Sequence, residues 1–416
     1  MRNHPDGYSV AKILAQAFNA VEPGAVVKKY LREHPLSVEK KVFALSLGKA
    51  SCAMIQALAD EVPLNDSLVI TKYASPLTVE PVIVIEGNHP IPGSASLQAG
   101  SAAIKFVSQL TQGDLLVCLI SGGGSALMTA PRVPLEDLQT LTSALLSCGA
   151  RIDEINILRR HLDRLKGGGI AGLANGAQII SLLLSDVVGD SLETIASGPT
   201  APDPASVADA ISVIDKYDLR DRIPASIIPA LSETLKPNDV IFEKVQNTIV
   251  ASNSVALRAA QVQAELLGMH TRILDLNLQG ESSVVGKELA VYLRKSLKIM
   301  PRSFCLLAGG ETTVTIKGIG KGGRNQEFAL AAVDVLAGLE NTLFISVATD
   351  GEDGPTDAAG AFVTGDTAQR AKSLGMFAAD YLLNNDAYSY FDKLDQLVKM
   401  GPSGTNVNDL VICFAF

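Results

Sequence analysis

LLVCLISGGGSALMTAP, residues 115–131, is the stretch on which the fold turns. Its first half is an almost continuous apolar run rich in β-formers, the pattern of a parallel strand covered on both faces. The run stops abruptly at Ser121-Gly122-Gly123-Gly124-Ser125, and a polar turn follows. Glycines at a strand-to-helix turn let the backbone approach a ligand closely, and unpaired N–H groups there attract an anion. A triple glycine between two serines exceeds what a tight turn requires. Phosphate or carboxylate binding at Ser121, Gly122, Gly123, Gly124 and Ser125 is therefore the expectation.

The same texture recurs on either side. VFALSLG (42–48), SLVITKY (67–73), PVIVIEG (81–87) and QIISLLLSD (178–186) read as further strands, separated by helical stretches such as ASCAMIQALADEV and SASLQAGSAAIKFVSQL. This βαβα order predicts a doubly wound α/β layer with a parallel sheet, whose ligands lie outside the carboxyl ends of the strands. From about residue 235 the polar, irregular LSETLKPNDVIFEKVQN reads as a join between domains. Beyond it, NTIVAS, SFCLLAGG, a hairpin-like ETTVTIKGIGKGG, TLFISVATDG and DLVICFAF both alternate with helices and neighbour one another. That predicts a second, smaller α/β domain with a mixed sheet, the two domains spanning 1–238 and 239–416.

At 416 residues the chain is too long for one core. With 47% hydrophobic and 19% charged residues it is globular, and its net charge of −9 argues against a nucleic-acid partner. A small anionic ligand needs only a local cluster of Arg, Lys and amides. The five cysteines show no CxxC pair, which reads as reduced thiols. MRNHPDGYSVAKILAQ lacks a long apolar core, and no run nears the ~20 residues that span a bilayer. A cytoplasmic protein with no membrane partner is expected.

Lys49 in SLGKAS follows the first strand, where its point charge can neutralise a phosphate; on a bland reading it is a solvated lysine. No Walker signature occurs. In LLLSDVVGDSLETIASGPT, Asp186 ends a strand and Asp190 follows it by four residues. Such carboxylates orient a hydroxyl, hold Mg²⁺ or cap a turn. INILRRHLDRLKGGGIAG carries Arg159, Arg160, His161, Arg164 and Lys166, a solvated face unless one arginine grips a carboxylate. His161 and His89 are too isolated to form a metal site.

Gly318, Gly320 and Gly323 match G-x-G-x-x-G, but no acidic residue follows where a ribose ligand would need one. The segment reads instead as a flexible basic loop with Lys321 and Arg324. Arg324 at a helix start opposes the macrodipole, which points to an anion nearby or to plain surface charge. ATDGEDGPTDAAG places Asp350, Asp353 and Asp357 in a Gly-Pro loop, better explained by turn chemistry than by calcium. Asn406 lies in a polar loop, GPSGTNVNDL, suited to hydrogen bonding a small ligand. Glu311 and Asn325 complete the candidate binding residues.

Together SLGKAS, GNHPIPGSAS, LISGGGSAL, INILRRHLDRLKGGGIA, LSDVVGDSLETIASGPT, GGETTVTIKGIGKGGRNQE, TDGEDGPTDAAG and GPSGTNVNDL, in that order, resemble the class II glycerate kinase family. These are the glycerate 2-kinases whose C-terminal half is the MOFRL domain. The resemblance implies a Rossmann-like N-terminal domain, a MOFRL-type C-terminal one and an active site in the cleft between them. It implies ATP- and Mg²⁺-dependent phosphorylation of (R)-glycerate at its 2-hydroxyl. By similarity, Lys49, Asp186 and Arg324 match the family's catalytic and substrate-binding residues, with Asp186 and Asp190 the metal candidates. Gly93 departs from the family's HPxPD and Gly169 from its KGGR. Rival readings are an NAD(P)H-dependent hydroxypyruvate reductase and a non-catalytic metabolite-binding protein on the same scaffold. A homo-oligomer is left open.

Overall fold

A computed structural model describes residues 6–36 and 39–416; the first five residues of the stretch read for a leader lie outside them. The chain divides into two compact units. One is contiguous, Pro23–Val250; the other joins the N-terminal segment through Glu22 to Ala251–Phe416.

The contiguous unit is built on β1 (Val42–Leu47), β2 (Asp66–Thr71), β3 (Ile83–Glu86), β4 (Leu115–Ile120), β5 (Gln178–Leu184) and β6 (Val245–Ala251). The sheet order is β3-β2-β1-β4-β5-β6, with β1 to β5 parallel. All six residues of β4 are buried. Period-two geometry sends alternate side chains to opposite faces. Leu45 and Leu47 join Ala99, Ala103 and Phe106 of the helix Ser94–Ser108 in one core, while Ser46 Oγ donates to Ser51 O at the start of the helix Ser51–Glu61 (2.8 Å). Helices thus cover both faces, as a doubly wound layer requires. Burying each Leu, Ile or Val here contributes roughly 1.5–3 kcal/mol before entropy is counted.

The second unit carries β7 (His270–Leu278), β8 (Phe304–Gly310), β9 (Thr342–Ala348), β10 (Gly360–Thr364), β11 (Leu397–Val398) and β12 (Asp409–Ala415). Its order is β11-β10-β9-β12-β8-β7; β7 and β8 are parallel and every other neighbouring pair is antiparallel, a mixed sheet. Phe304, Phe328, Phe344, Tyr390 and Phe391 form the heart of its core. The helix Gly7–Asn19 packs on the helix Asn253–Leu266, and Thr405 Oγ1 donates to Val21 O (2.8 Å), so the N-terminal segment belongs to this unit.

Two expectations need correction. The strand inside NTIVAS falls in β6, which completes the first sheet and does not open the second, so the first unit runs to Val250 where a boundary after 238 was expected. The expected hairpin over ETTVTIKGIGKGG does not form. Within it only Thr313 makes a β-bridge, parallel, to Glu281. No helix among the described residues is long and apolar enough to cross a membrane.

Candidate active site

In the first sheet the chain runs outward from β1 to β3, then returns to lay β4 on the other side of β1. This reversal opens a crevice at the carboxyl ends of β1 and β4, where ligands of such sheets bind. Lys49 leaves β1 there, and Ser121–Ser125 leave β4. The two turns are tied together: Lys49 N donates to Gly122 O (3.0 Å), and Ala50 N donates to Ser121 Oγ (3.1 Å). Ser121 is buried and serves as this tie, while Ser125 Oγ pairs with Ser197 Oγ (2.8 Å). Among the described residues, none of the amides from Gly122 to Ser125 donates to another backbone carbonyl.

The glycines are required by what crowds them. A Cβ on Gly122 would fall on Asp186, inside any real contact distance of Oδ2 and 2.6 Å from Cγ. Gly123 sits at φ 86°, and a Cβ there would lie 3.3 Å from His89 Nε2 and 3.4 Å from Lys49 Cγ. Lys49, His89 and Asp186 therefore crowd the two glycines. Partial burial, then the charges of Lys49 and Lys72, push the His89 pKa down, which favours the neutral imidazole. Asp190 closes the following turn at φ 57°, its amide donating to Val187 O (3.1 Å).

Gly122→Ala is a sharp probe of this packing. The atom it displaces is the end of a flexible side chain, so the fold survives while Asp186 swings away. The expected result is a loss of about 10²-fold in kcat with little change in Tm, read by steady-state kinetics beside thermal melting.

Beyond the glycines, the turn Met128–Ala130 is held by a buried ion pair. Asp163 Oδ2 accepts from Lys166 Nζ (2.7 Å), Thr129 Oγ1 (2.5 Å) and Ala130 N (3.1 Å). Lys166→Met leaves that carboxylate buried without its counter-charge. A loss of about 3–5 kcal/mol in urea denaturation is expected. Arg160 of the basic helix lies beside buried Asp203, Nε to Oδ2 2.9 Å, as a charge contact without an aligned hydrogen bond.

The second unit holds Arg324, first residue of the helix Arg324–Leu336. Its guanidinium donates from Nε and Nη2 to the two oxygens of Asp409 (2.6 and 3.0 Å) and from Nη1 to Glu311 Oε1 (2.6 Å). These two carboxylates answer the unfavourable helix position without any external anion. Burial pushes the Asp409 pKa up to about 6, against the pull of Arg324. For Arg324, burial lowers the pKa, but hydrogen bonding and charge from Asp409 outweigh it.

Residues 9–232 match a family described as a domain of unknown function (DUF4147), and residues 304–409 match the MOFRL family. A Pyrococcus horikoshii protein named glycerate 2-kinase is 36% identical over 96% of this chain and 95% of its own. A Thermotoga maritima protein named D-glycerate 2-kinase is 37% identical over 96% of each chain. The chain belongs to the class II glycerate kinase family. A crystal structure titled glycerate kinase from Thermotoga maritima superposes with a TM-score of 0.92, covering 99% of this chain and 100% of that one at 36% identity.

Against this family frame, several candidate residues have local jobs. Asn325 is buried, its amide group donating to Asp353 Oδ1 (3.3 Å) and its oxygen accepting from Ser346 Oγ (2.7 Å). Asp353 accepts from the amides of Asn325 (3.1 Å) and Gln326 (2.9 Å), capping the Arg324 helix. Asp350 Oδ1 accepts from Glu352 N (3.1 Å), and Asn406 Oδ1 from Asn408 N (3.1 Å), both turn contacts. The loop Lys317–Lys321 spends its amides in succession. Lys317 and Gly318 donate to Asn385 Oδ1, Ile319 and Gly320 to Asn384, and Lys321 to Asp386 Oδ1. The first two glycines of the motif therefore spend their amides within the protein, not on a pyrophosphate.

The family departures have physical reasons. A Cβ at Gly93 would meet Asn88 Oδ1 at 2.5 Å, and that oxygen accepts from Ala95 N (3.1 Å) in the first turn of the following helix. Asn88 thus does the capping that an acid at position 93 could supply. Gly169 has no room for a side chain, because its Cβ would fall on Arg164 O.

Proposed function

We propose that the chain transfers the γ-phosphoryl group of ATP to the 2-hydroxyl of (R)-glycerate, giving 2-phosphoglycerate and ADP. The observation that carries this reading is the convergence of Asp186 on Gly122 and of Lys49 on Gly123 at the sheet's switch point. Phosphoryl transfer leaves little covalent work for a protein, so positioning and charge stabilisation dominate. The amides hold an anionic group, glycerate carboxylate or nucleotide phosphate. Asp186 orients or deprotonates the attacking hydroxyl, and Lys49 and Arg324 spread the developing charge.

The donor chemistry of Asp186 and Asp190 suits Mg²⁺, a hard ion usually held by one or two carboxylates plus substrate phosphates, although no cluster of three potential ligands occurs among the described residues. Asp186 and Asp190 would hold it, and when bound it neutralises charge on the phosphate oxygens. The five cysteines are free, which suits a reducing cytoplasm.

Purified protein with (R)-glycerate, ATP and Mg²⁺ is expected to release ADP, with 2-phosphoglycerate identified by phosphorus NMR. Product phosphorylated at the 3-position would overturn the regiochemistry. No ADP in that tube, together with nicotinamide oxidation in a parallel one holding hydroxypyruvate and NADH or NADPH, would overturn the reaction class.

A further inference from the structure

We propose that Asp409 is a positioning residue of the reaction, fixing the plane of the Arg324 guanidinium so that its outer edge meets the transferred group. This rests on the reading of Arg324 as a participant. Two carboxylates hold that guanidinium, and they differ in kind. Glu311 makes one contact from a side chain 44% exposed, an arrangement that water and salt screen. Asp409 is 6% exposed on its side chain and receives two parallel donors, the fork geometry that fixes orientation as well as distance.

The anchor itself has no freedom. Asp409 opens β12, all of whose residues are buried, and is in register with Gly310 of β8 and Ala348 of β9. Its carbonyl accepts from Asn253 Nδ2 (2.8 Å). The guanidinium therefore hangs from the middle of a sheet, although it belongs to the first turn of a helix. Nε, one hydrogen on Nη2 and one on Nη1 are committed. One hydrogen remains on each terminal nitrogen, and the side chain is 30% exposed, so donors are left for the oxygens of a phosphoryl or carboxylate group. A buried ion pair adds little net stability compared with apolar packing, whereas a misplacement of about 1 Å costs about 10²-fold in rate. The geometry points to orientation as what Asp409 contributes.

The test is a double-mutant cycle on the full chain, measuring kcat and KM for glycerate and ATP. Asp409→Asn keeps the shape and weakens the fork; it is expected to lower kcat/KM about 10- to 100-fold, mainly through kcat. In an Arg324→Ala background the same change is expected to alter kcat/KM by less than about twofold, because nothing is left to orient. Equal losses in both backgrounds would make Asp409 merely structural and overturn the proposal. Unchanged turnover in Arg324→Ala alone would instead overturn the reading beneath it, and the proposal with it. Should Asp409→Asn fail to fold, Asp409→Glu keeps the charge but moves the fork outward. It is expected to cost kcat in the wild-type background and nothing further in Arg324→Ala; a native kcat would overturn the proposal.

Discussion

Asp186→Asn is expected to lower kcat by about 10²- to 10⁴-fold, the range for loss of a positioned general base. The change keeps size and shape, so Gly122 remains covered and the fold persists. Asparagine can still bond a hydroxyl, but it cannot take its proton and is a poor ligand for a hard cation. The two roles open to Asp186 separate under different rescues. If the lost function is proton acceptance, raising pH restores part of the rate; if it is cation holding, raising magnesium does. Near-native turnover in the variant would remove Asp186 from the mechanism altogether.

Arg324→Ala is expected to lower kcat by about 10³-fold or more, as for other arginines that stabilise charge in phosphoryl transfer. It also costs stability, because Asp409 is left buried without its counter-charge. About 3 kcal/mol is the scale, the low end for a broken buried pair because Arg324 is 30% exposed. The pH dependence has a definite sign. The Asp409 pKa stands at about 6, above the ordinary aspartate value of 3.8, so its contribution is greatest at low pH and declines as pH rises through 6. Without Arg324 that pKa rises further and the decline continues to higher pH. The variant's deficit in denaturant midpoint should be small at pH 5 and widen above pH 6. A deficit independent of pH would mean that Asp409 is not the group left stranded.

The first sheet was legible because its strands are written as unbroken apolar runs, and the switch-point residues because Lys49 and Ser121–Ser125 adjoin those runs. What was missed depends on groups distant along the chain. The place of His89 beside Gly123 was not legible, because the two meet only through folding. Asp409 was not singled out, because its bond to Arg324 spans 85 positions. TVTI alternates as a strand should, yet Asn384, Asn385 and Asp386, more than 60 residues on, claim the amides of the loop that follows it. NTIVA was read as the start of a new domain because the composition shifts before it. Pairing, which composition does not encode, places it on the first sheet.

The central place of β12, between β9 and β8, bears on how the chain is made. Pro23–Val250 is contiguous, and such a unit can fold on the ribosome while translation continues. The other unit needs its first segment and its last strand together. Until Asp409 and the residues after it emerge, β8 and β9 lie open along their inner edges, and Arg324 waits without its anchor. A stalled or truncated product would carry a finished first sheet beside unpaired, apolar strand edges, the kind of nascent chain that chaperones hold and proteases clear.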